Sequence, residues 1–374
     1  MKHMLLESGG GQTELALLDE GGQLTDYRVF PQNGLFAEQV YLAKVDRIAK
    51  GMGAAFVRLT DGQIGFLPFS EAFQPLSGGQ RVVVQVRKPP VGEKAAYLTE
   101  DLSLAGRWAI LLPRSTKTAV SSRVTEEEAK AALLKTARSL TPDGMGLILR
   151  KESAGIPEEE IRAEIEGLLS LWDQIKEKSK AAAAPALLWP GRSPLDRALD
   201  DWERPDRLTA DKEMPVPPGI ELVVHPHPFS LYSVLEQRHR LLQRRVWLPG
   251  GGFLVVDPCE AMTVIDVNTG KNTGRGADKE ALFLKTNLEA AQMIARLLRV
   301  RGVGGIIVID FIDMEAEASR AQVLDALRTL SLRDPVKCVV HGFTALGLVE
   351  MTRKKSDISS KAPQDVKQPA VSEG

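Results

Sequence analysis

Between Phe253 and Val340 the chain alternates strand-length apolar runs with helical periodicity, and that order leaves few folds open. Phe253–Asp257 and Met262–Asn268 are apolar, separated by a turn at Pro258-Cys259-Glu260. A polar, glycine-rich loop (Thr269–Ala277) follows. Asp278 is placed to N-cap a helix whose apolar residues recur at Leu284, Leu288, Ala291, Ala295 and Leu298. Gly302-Val303-Gly304-Gly305 stops that helix, IIVIDFIDM reads as a buried strand, and a second helix (Glu315–Leu330) and a further strand (Val336–Val340) follow. This alternation predicts an α/β layer with a mixed sheet.

The rest of the chain changes character twice. Thr13–Leu18 and Leu24–Phe30, joined through Glu20-Gly21-Gly22, read as a hairpin. From Glu38 to Leu112 the pattern is β throughout, with VYLAKVDRIA, AAFVRL, QIGFLPF and RVVVQVRK separated by Gly and Asp turns; Asp61-Gly62 is a hairpin signal. Such short strands over so few residues predict a small closed barrel of the OB type. From Thr125 to Lys180 the spacing is helical: a capping-box start at Thr125 with Glu128, then a helix with Pro157 at its first position, and the short strand GMGLILRK between them. Ala181–Pro185 reads as a linker, Leu187–Val246 as mixed structure with a basic helix VLEQRHRLLQRR, and the tail after Lys355 as disordered.

Composition narrows the function classes. At 374 residues the chain is long enough for two or three domains. No run of about 18 apolar residues is present and the first residues lack the apolar core of a secretory signal, so a cytoplasmic protein without a membrane span is expected. Cys259 and Cys338 stand alone, which speaks against a zinc site; both are expected as reduced core residues. The net charge is −1, so nucleic-acid affinity has to come from local basic clusters and stacking surfaces.

Two aspartates stand at or near the ends of apolar strands, Asp266 in TVIDVN and Asp310 in IIVIDF. A carboxylate in such a run is costly unless it is paired, hydrogen-bonded or bound to a cation. Each can be a cap on a neighbouring loop; together they suit Mg²⁺, which takes hard oxygen ligands and keeps waters. Asn268 shares a strand face with Asp266 and can orient a phosphate or a water. Asp313 falls on the opposite face if the strand continues, where a structural role is expected. His225 and His227 flank a proline without a third ligand, and no GxSxG, HExxH or P-loop is present. The glycines near Gly302 follow a helix and precede a strand, the wrong order for a dinucleotide site. Phe56 and Phe66, on consecutive strands of the barrel, can be core or can stack on bases; Lys94 can be a solvated lysine or pair with phosphate.

The strings LPGGGFLVVDPCEAMTVIDVNTGKNTG, FLKTNLEAAQMIARLLRVRGVGGIIVIDFIDM and HGFTALGLVEMTRKK resemble the catalytic region of the ribonuclease E/G family. AAFVRL, IGFLPF and GEKAAYLT resemble its S1 RNA-binding barrel, and LAGRWAILLP and GMGLILRK its 5′-end sensing region. The resemblance implies a Mg²⁺-dependent endoribonuclease acting on single-stranded RNA in RNA processing or decay, ribosomal RNA included, with preference for 5′-monophosphorylated ends. Asp266 and Asp310 match its magnesium ligands, and Asn268 the asparagine that positions the scissile phosphate. Phe56, Phe66 and Lys94 match residues that hold RNA, and Lys337 falls where some members carry an arginine near the cut. Gly106, Ile110, Arg150 and Lys151 fall in the 5′-monophosphate site; Ile110 and Lys151 depart from the more usual valine and threonine.

The implied α/β architecture has several subdomains. An RNase H-like part is split over residues 1–35 and 187–241. An S1 barrel (36–112) and a 5′-sensor region (113–186) are inserted into it, and a DNase I-like catalytic part (242–355) and a disordered tail (356–374) follow. After EMTRKK the family continues to a CPxCxG zinc-link and a small dimerisation domain, which the sequence in hand lacks. No zinc and no zinc-linked dimer or tetramer is therefore expected; a monomer or weak dimer is. Two rival readings remain: a non-catalytic RNA-binding protein of the same fold, and an S1 protein carrying an unrelated enzyme.

Overall fold

A computed structural model describes residues 2–60, 62–90, 94–122, 124, 126–202, 204–270 and 277–355. They form two compact units, one built from residues 2–33 with 201–355, the other from Gly34–Asp200.

In the first unit, the N-terminal hairpin strands Gln12–Leu18 and Leu24–Pro31 are joined by a strand that the sequence reading missed, His3–Gly9. Gly10 and Gly11 make the turn between them with φ of 57° and 78°, a conformation that glycine adopts without strain. Strands Arg207–Ala210 and Glu221–Val224 add in parallel beside His3–Gly9, giving a five-stranded sheet with three antiparallel and two parallel members. Leu5, Tyr27 and Val29 belong to one apolar core with Leu254, Ile265 and Ile307 of a second sheet.

That second sheet has six strands, in the spatial order Arg245–Trp247, Phe253–Pro258, Met262–Asn268, Gly305–Asp310, Val349–Arg353, Cys338–Phe343. Met262–Asn268 and Gly305–Asp310 run parallel, linked through the helix Ala277–Val300. Alternation sorts each strand: Leu254, Val256, Ile265, Val267, Ile307 and Ile309 are buried together with Ala290, Ile294, Leu297, Val323 and Leu327 of the helices Ala277–Val300 and Glu317–Leu332. The opposite face, carrying residues 253, 255, 264, 266, 268, 308 and 310, is half-buried to exposed. A mixed α/β layer is what the sequence pattern predicted.

In the second unit, strands Val40–Ala49, Ala54–Thr60, Gln63–Pro68, Ala96–Thr99 and Arg81–Lys88 close into a five-stranded barrel through pairing of Val40–Lys44 with Arg81–Gln85. Its interior is Val45, Ala55, Val57, Leu59, Leu67, Val84 and Leu98. A separate four-stranded sheet (Thr118–Val120, Gly146–Leu149, Ala109–Leu112, Leu104–Ala105) packs under the helices Glu127–Leu140 and Glu158–Ala181. The barrel strands end at Thr99 rather than Leu112; Leu104–Ala105 and Ala109–Leu112 pair in this second sheet, while Ala186–Trp189, most of it expected in the split RNase H-like part, pairs with Val40–Leu42 of the barrel.

Several local expectations change. Cys259 is exposed, because it lies in the reverse turn between two strands, whereas Cys338 is half-buried. Asp278 lies within the helix Ala277–Val300 rather than before it. The helix expected from a capping box starts at Glu127; its preceding residue, Glu126, makes no side-chain cap, and Thr125 lies outside the described residues. So do Asp61 of the predicted turn, residues 271–276 of the glycine-rich loop and the tail 356–374. The last strand pair is a hairpin of Cys338–Phe343 and Val349–Arg353, the second of which was not anticipated. Among the described residues no helix is long and apolar enough to cross a membrane.

Candidate active site

Asp266 and Asp310 are direct neighbours in register on adjacent parallel strands. Adjacent strands lie about 4.8 Å apart, and residues in register point to the same face, here the open one. Asp266 is half-buried and Asp310 exposed. Among the described residues no cation pairs with either carboxylate. Partial loss of water, then the charges of Asp266 and Asp313, hold the Asp310 carboxyl above the ordinary carboxylate range. The strand ends at Asp310, so the alternation that set Asp313 on the far face does not apply, and its charge reaches Asp310 from the loop. Asn268 shares the face of Asp266 and donates its Nδ2 to Asp266 Oδ2 at 2.7 Å.

The supports of this centre are backbone clamps. Asn287, fully buried in the helix Ala277–Val300, pairs its side-chain amide with Ile312: Nδ2 donates to the carbonyl at 2.8 Å and Oδ1 accepts from the amide at 3.0 Å. The loop leaving Asp310 is thereby tied to the helix. On the other side, a Cβ on Gly252 would stand 2.7 Å from the Asn268 carbonyl oxygen, so only glycine lets this turn pass the end of the Asp266 strand.

On the barrel, Phe56 and Phe66 face outward and are half-buried, while their neighbours Ala55, Val57 and Leu67 fill the interior. Four successive register pairs align Arg47, Phe56, Phe66, Tyr97 and Lys88 in one row across five strands. Phe56 and Phe66 meet edge to face at 5.8 Å, Phe66 and Tyr97 are tilted to each other at 6.3 Å, and the Arg47 guanidinium lies 4.8 Å over Phe56. Lys94 is exposed, three residues before Tyr97.

Around Arg150, Nη1 donates to the Gly106 carbonyl at 2.9 Å and lies 2.9 Å from Asp200, with Glu152 at 3.7 Å from Nε. Ile110 sits in register between Ala105 and Ile148. Lys151 is exposed. The carboxylate of Glu164 accepts the amides of Arg107, Trp108 and Ala109 at 2.8, 2.8 and 2.9 Å, fixing the backbone between Gly106 and Ile110. Lys337 is not brought to the acids. Its carbonyl accepts from Lys354 at the Gly305 end of the sheet, about 20 Å along the strand direction from Asp310. His225 and His227 gather no third ligand, and no group of three or more His, Cys, Asp or Glu assembles among the described residues.

Compared with known proteins, residues 103–356 match the profile of the Ribonuclease E/G family. The chain belongs to that family. Ribonuclease G of Escherichia coli (strain K12) is 32% identical over 392 aligned positions, covering 94% of this chain and 80% of that protein. Ribonuclease E of Synechocystis is 33% identical, covering 84% of this chain and 52% of that protein, and ribonuclease E of Haemophilus influenzae is 33% identical, covering 95% and 42%. In this ribonuclease E/G chain, sequence reasoning singled out Asp266, Asn268 and Asp310, which the structure places together on one open face, and gave no sign of the neighbouring contacts of Asn287, Glu164, Arg47, Lys88 and Tyr97. Asn287 and Glu164 look like ordinary helix residues until their backbone partners are seen; the barrel row needs the strand register.

Proposed function

We propose that the chain is a Mg²⁺-dependent endoribonuclease that cuts single-stranded RNA at Asp266, Asn268 and Asp310. Membership of the ribonuclease E/G family makes it an endoribonuclease, a hydrolase of RNA phosphodiester bonds. The observation that carries the finer reading is the register of the two acids on one open sheet face. Two carboxylates side by side, without a cationic partner among the described residues, repel each other and form an oxygen donor set that leaves room for waters and a substrate phosphate, which is the coordination that Mg²⁺ favours. When bound, such a cation screens charge developing on the phosphate and lowers the pKa of water. Asp266 and Asp310 hold it. Asn268 keeps one Asp266 oxygen engaged and has a second amide hydrogen to offer a phosphate oxygen. The Asn287 clamp holds the loop after Asp310 in place.

Single-stranded RNA is the substrate that the barrel row suits. Three aromatics flanked by Arg47 and Lys88 offer stacking faces and phosphate partners without base-specific readout. Arg150, Lys151, Gly106 and Ile110 would favour a 5′-monophosphate, which competes with Asp200 for the Arg150 guanidinium. The same reading takes the five-stranded sheet, with strands within 3–31 and 207–224, as RNase H-like, the barrel as S1, the four-stranded sheet and its two helices (104–181) as the sensor and 242–355 as a DNase I-like catalytic part; the strand orders support it.

The test is incubation of the full chain with a 5′-monophosphorylated single-stranded oligonucleotide. Internal cleavage with Mg²⁺ and none with EDTA is the expected result. Tight binding with no Mg²⁺-dependent cutting would leave an RNA-binding protein of this fold.

A further inference from the structure

The open face of the six-stranded sheet holds more than the acids. Three cross-strand pairs, Trp247 with Phe253, Phe253 with Asn268, and Val255 with Asp266, place Trp247 and Phe253 on the face and in the row of Asn268. The buried partners between them, Val246, Leu254 and Val267, confirm the alternation. Phe253 is therefore about 5 Å from Asn268 across one strand spacing, and Trp247 about 10 Å across two. Trp247 is 62% exposed, the largest apolar side chain on this face. It meets Phe253 edge to face at 5.3 Å, and the Arg245 guanidinium lies over the Phe253 ring, 4.6 Å from its centroid.

Trp247 and Phe253 together leave an aromatic face open to a planar partner. Trp247 lies at the end of a row that starts at the residue argued to hold the scissile phosphate, with a guanidinium over its neighbour Phe253 and no acid in the row. An aromatic face with a cation next to a phosphate-binding point is the chemistry that recognises a nucleotide, stacking the base while the backbone stays at Asn268.

We propose that Trp247 and Phe253, braced by Arg245, stack the nucleobase next to the phosphate that Asp266, Asn268 and Asp310 act on. This rests on the reading of those acids as the cleavage centre. Because stacking is indifferent to hydrogen-bonding edges, the subsite sets the position of the strand on the acids and prefers strong stackers, purines, over pyrimidines at that nucleotide.

The experiment is a cycle between protein and substrate. The full chain and its Trp247→Ala variant are given a single-stranded oligonucleotide with a mapped cut, and the same oligonucleotide made abasic at the nucleotide 5′ or 3′ of that cut. Trp247→Ala lowers kcat/KM on intact RNA about ten-fold, one of the two abasic substrates does the same to the parent protein, and the two losses do not multiply. Trp247→Phe retains most of the rate. Losses that multiply at both positions, or a Trp247→Ala variant as fast as the parent, overturn the platform; a changed sedimentation coefficient alongside uncoupled losses would make the Trp a protein contact. A parent protein that cuts nothing with Mg²⁺ contradicts the cleavage reading, and the platform with it, whereas cutting without coupling contradicts the platform alone.

Discussion

The side-chain amide of Asn287 closes two hydrogen bonds with the backbone of a single residue, Ile312, at 2.8 and 3.0 Å. Both groups of Ile312 lie two residues beyond Asp310, so a helix residue that touches no substrate decides where the loop after the acid runs. Asn287→Ala leaves that carbonyl and amide without partners, which costs about 1–3 kcal/mol. Urea unfolding would show the lost stability, and RNA cleavage should fall further than the unfolded fraction explains. An unchanged midpoint and an unchanged cleavage rate would contradict the clamp.

On the barrel, Tyr97→Ala is expected to weaken single-stranded RNA binding by about 1–3 kcal/mol, as are Phe56→Ala and Phe66→Ala. Arg47→Gln should act differently, flattening the salt dependence of log K by about 0.7. Fluorescence anisotropy across a salt series separates the two effects.

For the 5′ end, Arg150→Ala is expected to cost the monophosphate advantage, about ten-fold or more from lost charge-assisted hydrogen bonds. The ratio of cleavage rates on 5′-monophosphorylated and 5′-hydroxyl oligonucleotides should approach one. A ratio that survives the substitution would move the sensing elsewhere.

Acid stability of the second unit has a specific source in Glu38. Burial pushes its carboxyl up, but hydrogen bonding to Arg192, 2.6 Å away, and the Arg197 charge outweigh that and hold it below the ordinary value of 4.5. The unfolded chain takes up this proton more readily, so the stabilisation is fully present above that value and is lost as pH falls through the folded one. The difference in unfolding midpoint between the parent and Glu38→Gln should therefore shrink as pH falls below the ordinary value of 4.5. A difference independent of pH would remove Glu38 from the account.

Asp266 and Asp310 stand out in the sequence because charge inside an apolar run is rare and costly. Their adjacency was legible only through the family resemblance, since register between parallel strands separated by a long helix leaves no local mark. The same gap hid the row through Tyr97 and the alignment of Trp247 and Phe253 with Asn268. Val349–Arg353 escaped notice because Glu350 and Thr352 on its open face dilute the apolar signal; His3–Gly9 did so because Met4, Leu5 and Leu6 are buried on both faces and show no alternation. The barrel's end at Thr99 was invisible because the next strands carry the same residue types and differ only in partner.

Most directly, the account stands on Asp266 and Asp310 sharing one divalent cation. Single-turnover cleavage of an RNA oligonucleotide across a Mg²⁺ titration, with the parent chain, Asp266→Asn and Asp310→Asn, measures this. Each substitution should slow cleavage on the order of a hundred-fold or more while leaving RNA affinity in EDTA unchanged. Variants that cut at the parent's rate and saturate at the same Mg²⁺ concentration would contradict it.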